Sequence, residues 1–483
     1  MTDPIFELAI DLPPQGSGKL LRVLHLQLRS AIVNGRLHPG TRLPATRQLA
    51  ASIGISRNTA VALYDLLQSQ GYIDIRPGAG AFVARYASQP PPPADSQADS
   101  RLNPFWRNPP SLSPPFQPPY RFDFRIGLSD TSNFPFQIWQ RLLLRSQRTL
   151  AKMPSHYADP QGQASLREAI AGHVSFARAV ACQTEDILVT TGIQQALDLL
   201  ARILVTPGQT TLAMEEPGYQ PAKIAFIAAG AKVIDIPVDN EGICVAQIPS
   251  QADVVYVTPT HQFPLGHTLS MSRRTALLEF ARQHRAVIIE DDYDSEFRYG
   301  SYPLDALQTL DRNGLVFYLG TFSKCLFPTL RLGFVVMPAW SRQALIAAKR
   351  FSDWHSPALE QETLASYIAE GHLARHIRRM RKVYGERHAA LISSITHHCD
   401  DLLEPISAAC GLHLTALLKD NRLQAEDIAE RAADIGIGLY ALTRYPIAES
   451  GLNGFAFGLG MIDREDVDEA IARLAETMRD ERS

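Results

Sequence analysis

Lys324 stands just past an apolar, strand-like run, Val316-Phe-Tyr-Leu-Gly-Thr321, with Ser323 beside it and Arg331 seven residues further on. A second apolar run, Leu332 to Val336, follows. A lysine at the end of a buried strand is costly to desolvate unless it is paired or chemically engaged. The hydroxyls of Thr321 and Ser323 and the guanidinium of Arg331 suit a phosphate group. Together they describe a lysine that forms an imine with a phosphorylated aldehyde, the way pyridoxal phosphate (PLP) is held. A surface lysine in a turn would not be flanked by runs this apolar.

Three other places fit the same group. Thr190-Thr191-Gly192 leads from a strand into a helix that opens at Ile193-Gln194-Gln195. The free N–H groups of a helix N-terminus bind phosphate. Glu290-Asp-Asp-Tyr-Asp294 follows the apolar stretch Ala286–Ile289. A carboxylate there can accept from a pyridinium nitrogen, and Tyr293 can donate to a ring hydroxyl. Tyr219, in Glu216-Pro-Gly-Tyr219, supplies an aromatic face for a flat ring. Metal binding by the acidic run is disfavoured because no histidine lies near it in the sequence, so no metal is expected.

The elements that must position these residues alternate. Strands are expected at Asp186–Thr190, Thr211–Met214, Val254–Thr258, Ala286–Glu290 and Leu315–Leu319, with helices at Ser165–Phe176, Ile193–Leu204 and Pro221–Ala229. Continuous apolar strands alternating with helices predict a largely parallel sheet covered on both faces. No Gly-x-Gly-x-x-Gly or P-loop pattern follows a strand, which disfavours nucleotide-binding versions of this α/β class.

At 483 residues the chain exceeds one ordinary domain. Its composition, 45% hydrophobic and 20% charged, is that of a soluble globular protein, and no apolar run is long enough to span a bilayer. The start lacks a signal-peptide pattern. The five cysteines, Cys182, Cys244, Cys325, Cys399 and Cys410, show no metal-ligand spacing, and a reducing cytoplasm is expected. The formal charge of −3 conceals an asymmetry. Between Gln15 and Arg85 nine Lys/Arg face only Asp65 and Asp74, a net of +7 that leaves −10 for the remainder. One end of the chain is built to meet a polyanion.

That basic end reads as three helices and a hairpin. Leu24, Leu28, Ala31 and Ile32 pattern the first helix, Thr46–Ile53 the second, and Ala60, Leu63, Tyr64 and Leu67 the third, with Ser56 as its cap. Tyr72–Ile75 and Ala81–Val83 flank a turn at Pro77-Gly-Ala-Gly80. This is the layout of a winged helix-turn-helix. The series Gly40-Thr-Arg-Leu-Pro-Ala-Thr-Arg-Gln-Leu-Ala50, Gly54-Ile-Ser-Arg-Asn-Thr59, Gly71-Tyr72 and Gly78-Ala-Gly80 resembles the DNA-binding domain of the GntR family. The resemblance implies that Arg47, Arg57, Asn58 and Thr59 approach double-stranded DNA, with Gly78 at the wing tip. Ser56 and Thr59 suit phosphates, and arginine suits guanine edges. Residues 86–120, rich in proline, read as a semi-rigid linker.

The four cofactor-like places, in this order, resemble fold-type-I PLP-dependent aminotransferases of the alpha-aminoadipate and kynurenine branch, over about residues 121–483, with a smaller C-terminal subdomain at about 346–483. The resemblance implies that Lys324 is the Schiff-base residue, and that Asp291 meets the pyridine nitrogen, Tyr293 the ring oxygen and Tyr219 the ring face. Ile193, Gln194, Thr321, Ser323 and Arg331 would hold the phosphate. Tyr157, in Tyr157-Ala-Asp-Pro-Gln-Gly162, would reach the phosphate of a neighbouring subunit, implying a homodimer. Two departures stand out. His261-Gln-Phe-Pro264 puts Phe263 where that family carries an asparagine. The late strand Gly454–Gly460 lacks the arginine that binds a substrate α-carboxylate, leaving Arg444 as the nearest candidate for an effector.

A GntR-like reader joined by a linker to an aminotransferase-like domain resembles the MocR subfamily. The resemblance implies a DNA-binding transcriptional regulator that senses PLP, an amine or an amino acid. A working aminotransferase with an accessory DNA-binding domain is the alternative, and a PLP-inert scaffold is the least favoured reading.

Overall fold

The computed structural model describes residues 10–13, 18–84, 101–110, 119–152, 156–299, 305–406, 410–442 and 452–482. The chain divides into two compact units, Met1–Pro109 and Pro110–Ser483.

In the first unit, α1 (Leu20–Val33) buries Leu24, Leu28, Ala31 and Ile32 along one stripe. α2 (Thr46–Ile53) ends at Gly54, whose φ of +70° is the left-handed conformation that closes a helix without a Cβ penalty. Ser56 caps α3 (Arg57–Ser69), its Oγ accepting from the Thr59 N–H at 3.1 Å. β1 (Ile73–Arg76) pairs antiparallel with β2 (Gly80–Val83), with Ile73 opposite Val83. Leu49, Ala60, Leu63, Leu67, Ile73 and Val83 join the α1 stripe in one core, as the periodicity predicts. Of the proline-rich stretch 86–120, residues 86–100 and 111–118 lie outside the described residues. Between them one helical turn, Pro104–Arg107, is capped by Asn103, with Leu102 and Trp106 exposed.

The second unit is built on an eight-stranded sheet. Its spatial order is Ile187–Thr190, Gly333–Val336, Val316–Thr321, Val287–Asp292, Val254–Val257, Thr211–Glu216, Lys232–Asp239 and Gly242–Ile243. The five strands from Val316–Thr321 to Lys232–Asp239 are parallel. Gly333–Val336 runs antiparallel to both neighbours. It follows Val316–Thr321 through a connection without a crossover helix, which permits only an antiparallel return. On one face Leu197, Leu200, Phe226 and Leu345 pack on Leu212, Tyr256 and Phe317. On the other, Leu277 and Ala281 pack on Val255, Ile288 and Val316. Helices on both faces explain why these strands are apolar throughout rather than alternating.

Towards the C-terminus a four-stranded antiparallel sheet forms in the order Leu403–Pro405, His413–Leu418, Gly454–Gly458, Tyr440–Ala441. Helices His372–His398, Ala425–Asp434 and Val467–Arg482 pack with it through Leu391, Ile395, Ile428, Ile471 and Leu474. Phe122–Asp123 pairs with Ile437–Gly438, so residues near 122 join this layer although they precede the large sheet in sequence.

Candidate functional site

The carboxyl ends of the parallel strands open into a cavity of about 350 Å³, the position where α/β sheets hold ligands. Every residue that the sequence assigns to a cofactor within one chain lines it, namely Ile193, Gln194, Tyr219, Asp291, Tyr293, Thr321, Ser323, Lys324 and Arg331. Tyr157 does not. It is 72% exposed and its ring stacks on Trp354 at 4.6 Å. Arg444 lies outside the described residues.

Lys324 leaves the Val316–Thr321 strand and donates from Nζ to the Gly127 carbonyl at 2.6 Å. Burial pushes its ammonium pKa down against the opposing pull of Asp294 and Asp291, and the nearby Arg331 adds to the fall. Asp291, 4% exposed, accepts from the Tyr256 hydroxyl through Oδ2 at 2.6 Å. Its Oδ1 is buried and has no hydrogen-bond partner. Burial raises its pKa to about 7, opposed by the Tyr256 hydrogen bond. An acceptor left unpaired at the wall of a cavity is costly unless a donor arrives to meet it.

The helix Ile193–Leu204 begins at Gly192, with φ +78° and no side-chain cap. Arg331 lies over that turn and donates to the Thr191 carbonyl at 3.2 Å. A Cβ at Gly192 would come within 2.8 Å of the Arg331 guanidinium. Glycine here satisfies both the backbone angle and the close approach of the cation. The N-terminal N–H groups and Arg331 thus lie together at the cavity, which Thr321 and Ser323 also line, and this arrangement suits an anion. Tyr219 and Phe263 meet edge to face at 5.6 Å.

Several lining residues carried no signal in the sequence. Tyr256 is an ordinary strand residue until its hydroxyl meets Asp291. Gly127, Leu412, His413 and Tyr440 come from segments far away in the chain. The fold also corrects one expectation: histidines do stand beside the acidic run. His261, Asp294 and His413 are buried together, with ligand-type atoms within 4.8 Å of one another. His261 Nδ1 pairs with Asp294 Oδ2 at 3.0 Å and His413 Nε2 with the Pro264 carbonyl at 2.9 Å, while His261 Nε2 is buried without a hydrogen-bond partner.

In the first unit Arg47, Ser56, Arg57, Asn58 and Gly78 are exposed and Thr59 is half-buried. The Ser56 and Thr59 hydroxyls lie 2.8 Å apart, so capping α3 engages both. Beside the hairpin, Arg42 approaches Gly80, and the Arg76 guanidinium lies 4.6 Å from the centre of the Phe82 ring.

Comparison with known proteins agrees with both units. The model for bacterial regulatory proteins of the gntR family matches residues 22–83, and that for aminotransferase class I and II matches residues 130–427. The chain is 36% identical to a probable rhizopine catabolism regulatory protein, MocR, of Rhizobium meliloti, over 94% of this chain and 92% of that one. The chain belongs to the MocR subfamily of GntR-type regulators. Another relative of the same two-part architecture is the HTH-type pyridoxine biosynthesis transcriptional regulator PdxR of Corynebacterium glutamicum, 30% identical over 98% of this chain and 99% of that one. For the MocR-type second unit, the kynurenine aminotransferase of Pyrococcus horikoshii, solved in complex with PMP, is 29% identical with a TM-score of 0.69, covering 75% of this chain and 91% of that one. The fold of the MocR-type second unit is therefore that of the aminotransferases, a fold that implies dependence on PLP.

Proposed function

We propose that this chain is a DNA-binding transcriptional regulator whose second unit holds PLP at Lys324 and responds to PLP itself, an amine or an amino acid. One observation carries the reading: a half-buried lysine, an unpartnered buried carboxylate oxygen and an arginine over a helix N-terminus line a single cavity. The residues present fit the group. Asp291 Oδ1 offers the acceptor for a ring N–H. Arg331 with the Ile193 and Gln194 N–H groups, Thr321 and Ser323 offers the anion site. Tyr219 offers a ring face and Tyr293 a phenol. When bound, PLP supplies an aldehyde that captures primary amines and a ring that withdraws electrons.

The chain's own residues supply the rest. Burial favours the neutral amine of Lys324, the form able to act as a nucleophile. Tyr256 holds Asp291 by one oxygen and leaves the other facing the site. In this reading Tyr157 serves a second copy in a homodimer with shared sites, and its exposure supports that role. In the first unit Arg57 and Asn58 open α3 and are exposed, as is Arg47, which supports their approach to DNA, with Ser56, Thr59 and the wing-tip Gly78 meeting phosphates in this reading. The domain limits that match this reading are 15–85, 86–120 and 121–483. In this reading the protein works in the cytoplasm, where a bacterial regulator meets its DNA. Among the described residues no helix is long and apolar enough to cross a membrane.

Regulation requires that cavity occupancy and DNA affinity be linked, each changing the other by the same factor. The test is operator binding by the full chain with and without PLP and candidate amines. Identical affinity under all conditions sinks the sensing role. The second reading, a working aminotransferase, is favoured by the likeness to kynurenine aminotransferase. Against it, Gly454–Gly458 carries buried Phe455 and Phe457 and no arginine. Multiple turnovers at about 1 per second or faster with an amino donor and a keto acid would decide for the enzyme.

A further inference from the structure

The departure at Phe263 removes a polar side chain from the cavity wall, and the residue two positions earlier has a partner set that suits the missing task. His261 is 2% exposed. Its Nδ1 lies 3.0 Å from Asp294 Oδ2 and 3.1 Å from the Tyr293 hydroxyl. Although burial pushes the Asp294 carboxyl up, the His261 ring and the Leu412 N–H hold its pKa below the usual range, so it is an ionised acceptor. Nδ1 must then carry the hydrogen. The same N–H faces the Tyr293 oxygen, which therefore accepts from it. The phenol's own hydrogen is left for an acceptor in the cavity that Tyr293 lines.

The fold reserves space for this ring. Gly411, at φ +93°, has no room for a Cβ because the His261 imidazole fills that position. The His413 ring packs on the His261 ring at 4.5 Å. Burial, then His261, keeps the His413 pKa down at about 3, so it brings no competing charge. Among the described residues, Asp294, Tyr293 and His413 are titratable groups in contact with His261.

We propose that His261 is a positioning residue for the cofactor: its Nδ1–H, held by Asp294, turns Tyr293 into a committed donor to the cofactor's ring oxygen and so replaces the asparagine whose place Phe263 takes. This rests on the reading that PLP occupies the cavity. A donor to the ring oxygen favours its anionic form, so weakening the donor raises the pH at which the bound cofactor's visible absorbance titrates.

The test is a spectrophotometric pH titration of full-length, PLP-loaded protein, with cofactor affinity measured in parallel by fluorescence. His261→Phe is expected to raise the spectral midpoint by about one pH unit, and Tyr293→Phe by at least as much. His261→Phe placed on Tyr293→Phe is expected to add nothing further. His261→Asn keeps an N–H near the Nδ1 position and is expected to restore most of the shift, so the comparison survives poor folding of the phenylalanine variant. An equal further shift in the Tyr293→Phe background, or an unmoved midpoint in His261→Phe beside a moved one in Tyr293→Phe, overturns the proposal. A parent protein without any PLP absorbance overturns instead the reading on which it rests.

Discussion

Lys324 and Asp291 show how one residue's surroundings decide its chemistry. Burial lowers the pKa of the half-buried Lys324 amine and so favours its nucleophilic form, whereas it raises that of Asp291, so a cationic donor at Oδ1 would have to draw the acid back to its carboxylate. Replacing Lys324 by Ala is expected to abolish any borohydride-fixable attachment of PLP. Mass spectrometry of the reduced protein reads this directly, and a label that persists in the variant would remove Lys324 from its role. Asp291 carries a pH signature. Its folded pKa of about 7 lies above the unfolded value of about 4, so the native cofactor-free chain binds more protons than the unfolded one between these limits. The contribution to stability is full below about pH 4 and is lost as pH rises towards 7. Glu215 and Glu290, also raised to about 7, behave in the same sense. Asp291→Asn is expected to flatten part of the fall in Tm of the cofactor-free protein between pH 5 and 8. An unchanged slope would refute the assignment.

Elements set the angles at which such residues meet. The helix Ile193–Leu204 offers its N-terminus only because Gly192 holds φ +78° beneath Arg331. Gly192→Ala is expected to displace the guanidinium and to lower PLP affinity at least tenfold, measured by fluorescence titration, with a stability cost of about 1–3 kcal/mol from the strained backbone. Unchanged affinity would take the phosphate away from this turn. In the winged unit, Ser56 holds the first turn of α3 on which Arg57 and Asn58 are displayed. Arg57→Ala is expected to weaken specific DNA binding by about 1–3 kcal/mol, measured by titration at fixed salt, without changing PLP content. Equal operator affinity would exclude base reading by α3. The parallel strands were legible from their apolar runs, because helices on both faces leave no polar side to alternate. The antiparallel turn of Gly333–Val336 was not, since a short apolar run reads alike in either direction.

At the scale of the whole molecule, a unit of net charge +7 between Gln15 and Arg85 accompanies a remainder at −10. DNA affinity is therefore expected to fall steeply with salt through the first unit's cations. Linkage to the second unit requires the effect of a ligand on DNA binding to equal the effect of DNA on ligand binding. Paired titrations of the full chain check this, with Lys324→Ala expected to uncouple the two. Coupling that survives in this variant would show that sensing bypasses the lysine.

The amino-acid sequence by itself pointed to both units and to nine of the residues that line the cavity. Each of these sits in a short, contiguous pattern whose chemistry is local: a strand end, a helix start or a cap. Only the tertiary structure decided which groups hold these residues in place. Tyr256 reaches Asp291 across 35 residues, Gly127 reaches Lys324 across 197, and Leu412 reaches Asp294 across 118. No periodicity encodes such pairs, because they form where strand ends from separate segments converge. The His261–Asp294–Tyr293 group belongs to the same class. In the sequence the histidine marked only a departure from a motif, and the fold placed its Nδ1 between a carboxylate and a phenol.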